Sequence, residues 1–244
     1  MLAQKAAGMM RGLLNQAGLR QERKVFAIGF NKSASSSLHA LFQSLGLPSY
    51  HGVKWRKHDN PRFLRKYDCF SDDIPRDLAE LDRSWPDSKF ILNVRELEGW
   101  IYSRLAHIER VDKSKRNFQP DPHWDTTEEA IKGWIRKRND YHQFVLSYFV
   151  DRPADLLVVN FLKDHLAATK ICQFLGYEIE IHRPHRNINP SKKRPQEHTE
   201  MLRNAVAELG VAEHELAYDL YCPSLENGGK ESQFSPDSST LESA

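Results

Sequence analysis

Residues 24–38 read KVFAIGFNKSASSSL. The first part, Lys24 to Phe30, is a short β-prone apolar run of the kind buried within a parallel sheet. Beyond it, Leu38, Leu41, Phe42 and Leu45 recur at helical spacing, and Gly46 with Pro48 closes the segment. Residues 24–46 are therefore expected to form a strand, a tight polar loop and a helix. Between strand and helix, Gly29 to Leu38 places small side chains, one lysine and four hydroxyls. Unpaired N–H groups and the positive dipole end at a helix start bind anions, and small residues let a phosphate approach the backbone. Lys32 adds a point charge, while Ser33, Ser35, Ser36 and Ser37 can donate hydrogen bonds. Serine alone could equally be capping the helix, but the lysine beside it favours an anion cradle. A nucleoside-triphosphate loop needs a second glycine followed by lysine and a hydroxyl; the spacing here departs from that arrangement and disfavours a magnesium-dependent kinase.

The same pattern recurs along the chain. Lys89 to Val94 (KFILNV) follows the turn-like WPDS and leads into a helix bearing Trp100, Ile101, Leu105 and Ile108. Asp155 to Asn160 (DLLVVN) precedes a helix expected over Lys163 to Leu175, closed by Gly176. Strands alternating with helices imply an α/β fold, a central parallel sheet flanked by helices on both faces. Residues 111–127 are polar and proline-punctuated and are expected to make an excursion beside the sheet. A long amphipathic helix is expected from Thr127 to Phe149, a basic loop over 182–195, and a final helix from Gln196 to Leu209.

Bulk properties bound the function. At 244 residues, 40% hydrophobic and 28% charged, the chain suits one globular domain, expected over 23–222 between an amphipathic helix at 1–22 and a disordered tail at 223–244. With 35 basic and 33 acidic side chains there is no field of the kind that attracts nucleic acid, so any anion site is local. Lys5, Arg11, Asn15 and Gln16 interrupt the apolar N-terminus, so neither a transmembrane segment nor a signal peptide is expected. Three widely spaced cysteines, Cys69, Cys172 and Cys222, argue against a disulfide framework or a zinc site and fit a reducing, cytoplasmic location.

The segment KSASS resembles the lysine, Ser/Thr/Ala, glycine, threonine, threonine loop with which PAPS-dependent sulfotransferases hold their donor, 3′-phosphoadenosine 5′-phosphosulfate (PAPS). It looks most like the bacterial-type cytosolic members, in which an apolar strand, a G-F-x-K-x-G-T-x-S-L loop and a helix follow one another on a P-loop NTPase-like α/β fold. The resemblance implies that Lys32 contacts the bridging and 5′-phosphate oxygens and that Ser33, Ser35, Ser36 and Ser37 bind phosphate. Ala34 stands in the loop where the family has glycine, and alanine tolerates positive φ poorly.

The family also reads the 3′-phosphate with an arginine at a strand end and a serine eight residues later. Arg95 follows KFILNV, and Ser103 lies eight positions on in RELEGWIYS. Arginine offers a planar, permanently charged fork for this task; alone, Arg95 would read as a surface partner of Glu96 or Glu98. DLLVVNFLKDHLAATKICQFLGYE is similar to the family's later strand and its Phe-Leu-Gly helix, where Phe174 and Leu175 read as core. In the basic loop, Arg186, Lys192, Lys193 and Arg194 could close over the 3′-phosphate, although the family's RKG-type signature is missing and a solvated charge run is the equal alternative.

Sulfuryl transfer needs positioning, charge stabilisation and a base for the acceptor's proton. Lys32 suits the leaving group. For the base, His51 in LGLPSYHGVKW competes with Asp72 and Asp73 in FSDDIP, and the two aspartates could instead cap a helix before DLAEL. No metal is implied. Trp55, Trp100 and Trp124 could wall an acceptor but more often belong to a core. The expected activity is transfer from PAPS to a hydroxyl or amine of a carbohydrate or small-molecule acceptor, releasing PAP. The alternatives are a non-catalytic nucleotide-binding protein on the same fold and, behind it, a P-loop nucleotide kinase.

Overall fold

The computed structural model describes residues 23–110, 125–178 and 194–225. The helix expected at 1–22, most of the excursion at 111–127, most of the basic loop with Arg186, Lys192 and Lys193, and all but the start of the tail at 223–244 lie outside the described residues. In chain order the elements begin with β1 (Val25–Ala27), α1 (Ser35–Ser44), β2 (Ser49–His51), a 3-10 turn (Val53–Lys57), α2 (Pro61–Leu64), β3 (Cys69–Ser71), α3 (Leu78–Ser84) and β4 (Lys89–Asn93). They continue with α4 (Leu97–Arg110), α5 (Glu128–Tyr148), β5 (Leu156–Val159), α6 (Ala167–Phe174), α7 (Gln196–Glu208) and a 3-10 turn at Glu213–Ala217. Two compact units result, one spanning 23–94 with 151–178, the other 95–150 with the described residues from 194 onward.

The first unit is built on a five-stranded sheet in the order β2-β3-β1-β4-β5, every pairing parallel. Side chains alternate across it as strand geometry requires. Val25, Ala27, Cys69, Ile91 and Val159 face one cluster, packed with Leu38, Leu41 and Phe42 of α1 and Ala168, Ile171 and Cys172 of α6. The intervening residues build the opposite face, where Phe26 is in register with Phe70 and Phe90 and stacks on them at centroid distances of 5.2 and 5.7 Å. Trp55, fully buried, stacks on Phe26 at 5.8 Å and carries the 3-10 turn onto this face. Trp55 and Trp100 are thus core residues and not acceptor walls; Trp124 lies outside the described residues.

The three strands expected from apolar runs are present with trimmed ends, and two more strands were not foreseen. β2 and β3 are three residues each, too short and too mixed in composition for their alternation to register. The helix expected from Lys163 starts instead at Ala167. The delay has a cause in side-chain competition: Asn160 Oδ1 accepts from the N–H groups of Leu162 and Lys163, both at 3.0 Å, and Asp164 Oδ1 accepts from Leu166 N–H at 2.9 Å. Asp72 and Asp73 do not cap α3. Asp77 does, accepting from Glu80 N–H at 2.8 Å.

In the second unit the long helix matches expectation, with Thr127 capping α5 through the Ala130 N–H. Buried polar groups on α5 hold the C-terminal segment. Asn139 exchanges two hydrogen bonds with the backbone of Cys222, at 2.9 and 3.0 Å. Arg138 Nη2 donates to the carbonyls of Tyr218 (2.9 Å) and Arg95 (3.1 Å). Burial pulls the Arg138 guanidinium down to about 10, still high enough for the charge to persist at neutral pH. Among the described residues no helix is long and apolar enough to cross a membrane.

Candidate active site

Parallel α/β sheets gather their ligands at the carboxyl ends of the strands. The loop leaving β1 there is the one marked by the sequence. Its backbone takes two left-handed steps, at Lys32 (φ 68°) and Ala34 (φ 67°, ψ 23°), before α1 begins. Ala34 therefore occupies the conformation that glycine supplies elsewhere, and it is strained by about 1–2 kcal/mol relative to glycine. The first turn of α1 is tied back by Ser37 N–H and Leu38 N–H, which both donate to Ala34 O. The N–H groups of Ser35 and Ser36 take no partner among the described residues, leaving donors at the positive end of the helix dipole. Ser33, Ser35 and Ser37 are buried and Lys32 and Ser36 half-buried.

The loop is shaped from β4. Asn93, 1% exposed, accepts at Oδ1 from Gly29 N–H (2.9 Å) and donates from Nδ2 to Ser33 O (3.0 Å), spanning the loop from its first residue to its fifth. Gly29 is required by the same contact, since a Cβ there would lie 1.9 Å from Asn93 O and 2.7 Å from its side chain. Neither role was read from the sequence, because Asn93 is one polar residue inside an apolar run and its partner is 64 positions away.

β2 and β3 bring the acid–base candidates to the same strand ends. His51 Nε2 lies 3.4 Å from Ser36 Oγ and its Nδ1 3.1 Å from Ser71 Oγ, while the His39 ring stacks on it at 5.6 Å. Asp72 and Asp73 follow β3 with φ of 98° and 72°. Burial raises the Asp72 carboxyl above its ordinary range, and neighbouring Asp73 adds to the rise; the charges of His51, Lys32 and Arg56 oppose it. Lys32, His51 and Asp72, singled out separately along the chain, thus share one electrostatic neighbourhood. A cavity of about 440 Å³ lined by His58, Pro61, Arg65, Ser84, Trp85, Pro86 and Asp87 contains none of these residues.

Arg95 and Ser103 belong to the second unit. Arg95 Nε lies 3.7 Å from Glu96 Oε1, and Glu98 pairs instead with Arg194 at 2.8 Å. Arg95 is largely desolvated, which lowers its affinity for a proton. Gly99 and Ser103 lie four residues apart on one face of α4, and Arg95 precedes that helix in the short link from β4. Gly99 matters there: a Cβ would meet Glu96 Oε1 at 2.1 Å and Arg95 Nε at 3.1 Å. Ser103 is half-buried on α4.

A family model described as a sulfotransferase domain matches residues 53–216. That span includes Asp72, Arg95 and Ser103 and begins after the β1–α1 loop and His51. No curated protein matches the chain. Among solved structures, mouse sulfotransferase SULT7A1 complexed with PAP is similar at 14% identity and a TM-score of 0.45, over 81% of this chain and 70% of that one.

Proposed function

The chain belongs to the sulfotransferase family, and from that premise we propose that it moves a sulfuryl group from PAPS to a hydroxyl or amine of a carbohydrate or small-molecule acceptor, releasing PAP. The observation that carries this reading is the β1–α1 loop. A glycine without room for a Cβ, two left-handed residues, a lysine and unpaired N–H groups at a helix start together form a cradle suited to a phosphate. The donor fits this chemistry, since its 5′-phosphosulfate is an anion with several acceptor oxygens. PAPS supplies the sulfuryl group; the residues of the chain hold it, orient it and manage charge and protons.

Lys32 neutralises the charge that grows on the leaving phosphate oxygen. Ser33, Ser35, Ser36 and Ser37, with Ala34 setting the turn, hold the 5′-phosphate. Arg95 exchanges its Glu96 contact for the 3′-phosphate, with Ser103 as second donor, and Lys192 and Lys193 add positive charge to that phosphate. The acceptor's proton goes to one of two candidates at the strand ends, His51 or Asp72. Three free cysteines, all buried, accord with a reducing, cytoplasmic setting. The near-neutral net charge of +2 favours an uncharged hydroxyl acceptor over a polyanion.

Calorimetric titration with PAP, and in parallel with adenosine 5′-phosphate, tests the reading. PAP is expected to bind at least tenfold more tightly, and Arg95→Ala to erase the difference. Equal binding of the two nucleotides by the unaltered protein would sink the proposal.

A further inference from the structure

Three acid–base candidates meet at the ends of β2 and β3, and their contacts separate them. Asp73 is committed to the fold: Oδ2 pairs with Arg56 Nη1 at 3.0 Å and Oδ1 accepts from Ile74 N–H at 3.0 Å. His51 is committed at both ring nitrogens, to a hydroxyl of the phosphate loop on one side and to β3 on the other. Asp72 makes no hydrogen bond or ion pair among the described residues, yet it is half-buried and held at φ 98°. A non-glycine residue in that conformation without a compensating contact points to a function outside folding.

The geometry points to a division of labour: the Asp72 carboxylate is the general base that takes the acceptor's proton, and His51 is a positioning residue that braces the phosphate loop through Ser36. This rests on the sulfotransferase reading above and deepens it. In the transfer, the acceptor oxygen bonds to sulfur as its proton passes to Asp72, and the sulfur–oxygen bond to the 5′-phosphate breaks. The electron pair of that bond stays on the phosphate oxygen of PAP, opposite Lys32, and Asp72 later returns the proton to solvent. The groups facing Asp72 are Lys32 from the loop, His51 from β2, Arg56 from the 3-10 turn and its neighbour Asp73. Burial outweighs the opposing influence of His51, Lys32 and Arg56 and leaves a carboxyl that is more basic than usual, the direction that suits a general base.

Four variants test this: Asp72→Asn, Asp72→Glu, His51→Asn and Asp73→Asn, each titrated with PAP and assayed for PAPS hydrolysis to PAP and sulfate, water serving as acceptor. Asp72→Asn should bind PAP within about threefold of the parent and lose roughly 100-fold or more in turnover, with Asp72→Glu recovering part of it. His51→Asn should weaken PAP binding and retain the acidic limb of the pH–rate profile, which Asp72→Asn removes. Full turnover in Asp72→Asn, or loss of the acidic limb in His51→Asn alone, overturns the assignment. Failure of the unaltered protein to bind PAP would overturn the sulfotransferase reading instead.

Melting temperature gives a readout independent of the acceptor. A carboxyl whose folded pKa is raised destabilises the fold once it ionises, so the contribution of Asp72 to stability is most favourable below the ordinary value of 3.8 and is lost as pH rises through the folded value. Asp72→Asn, which tolerates positive φ equally well, is expected to melt higher than the parent at neutral pH and to lose that advantage below about pH 4. A lower melting temperature at neutral pH would make Asp72 a structural residue and refute its assignment as the base.

Discussion

Ala34 shows how much can turn on one missing hydrogen. Its left-handed backbone is forced by the need to start α1 immediately after the loop, and no side-chain cap offsets the strain. Ala34→Gly relieves it, against a smaller loss from the greater freedom of glycine in the unfolded chain. The net expectation is a gain of about 1 kcal/mol, seen as a melting temperature about 2–4 °C higher, with PAP affinity unchanged or better. A drop in stability would mean that another residue holds the turn. At this scale the sequence was informative for side chains whose type announces a chemistry. Lys32 and the serines stood out because a lysine lies among hydroxyls at an expected strand–helix junction, and that junction is where the structure has them. Asp72 and Asp73 could not be told apart, since their difference is one of contacts: Arg56 engages one and not the other.

Among the elements, β4 both supports the sheet and sets the neighbouring loop. Asn93 is its last residue, in register with Val159 of β5, and its side chain turns toward β1's loop to clamp Gly29 and Ser33. Asn93→Asp keeps the acceptor for Gly29 N–H but sets a carboxylate against the Ser33 carbonyl. It should cost about 1–3 kcal/mol and weaken PAP binding more than tenfold; denaturant unfolding and calorimetry would measure the two effects. Unaltered PAP affinity would show that the loop keeps its form without the clamp. The apolar runs KVFAIGF, KFILNV and DLLVVN, which contain β1, β4 and β5, were readable from their β-prone composition. β2 and β3 were not: SYH and CFS sit in no apolar run, and what makes them strands is pairing with a neighbour far along the chain. The start of α6 was misplaced for the opposite reason, local side-chain bonds from Asn160 and Asp164 that helical periodicity does not reveal.

For the molecule as a whole, the two units carry different liabilities. In the second, His142 is fully buried beside the Arg138 guanidinium, and burial first and that charge second push its pKa well below 6.5. The unfolded chain therefore binds a proton that the folded unit refuses, and stability falls as pH drops below about 6.5, by up to roughly 1.4 kcal/mol per pH unit. His142→Gln should flatten this slope between about pH 6.5 and 5 in thermal melts; an unchanged slope would assign the acid sensitivity to other groups. The expectation of one domain over 23–222 came from length alone, whereas the grouping into units depends on contacts that bring 151–178 back to the early strands. In the first unit, β1 is the earliest strand to be made, yet it lies between β3 and β4. On a translating ribosome it can pair with β3 once that strand emerges, but its other edge stays open until Asn93 has cleared the exit tunnel, because only then can β4 close the sheet around it and the loop acquire its clamp. The β1–α1 loop thus gains its final form late relative to its position in the message. During that interval the segment KVFAIGF is a natural target for the chaperones that patrol emerging polypeptides.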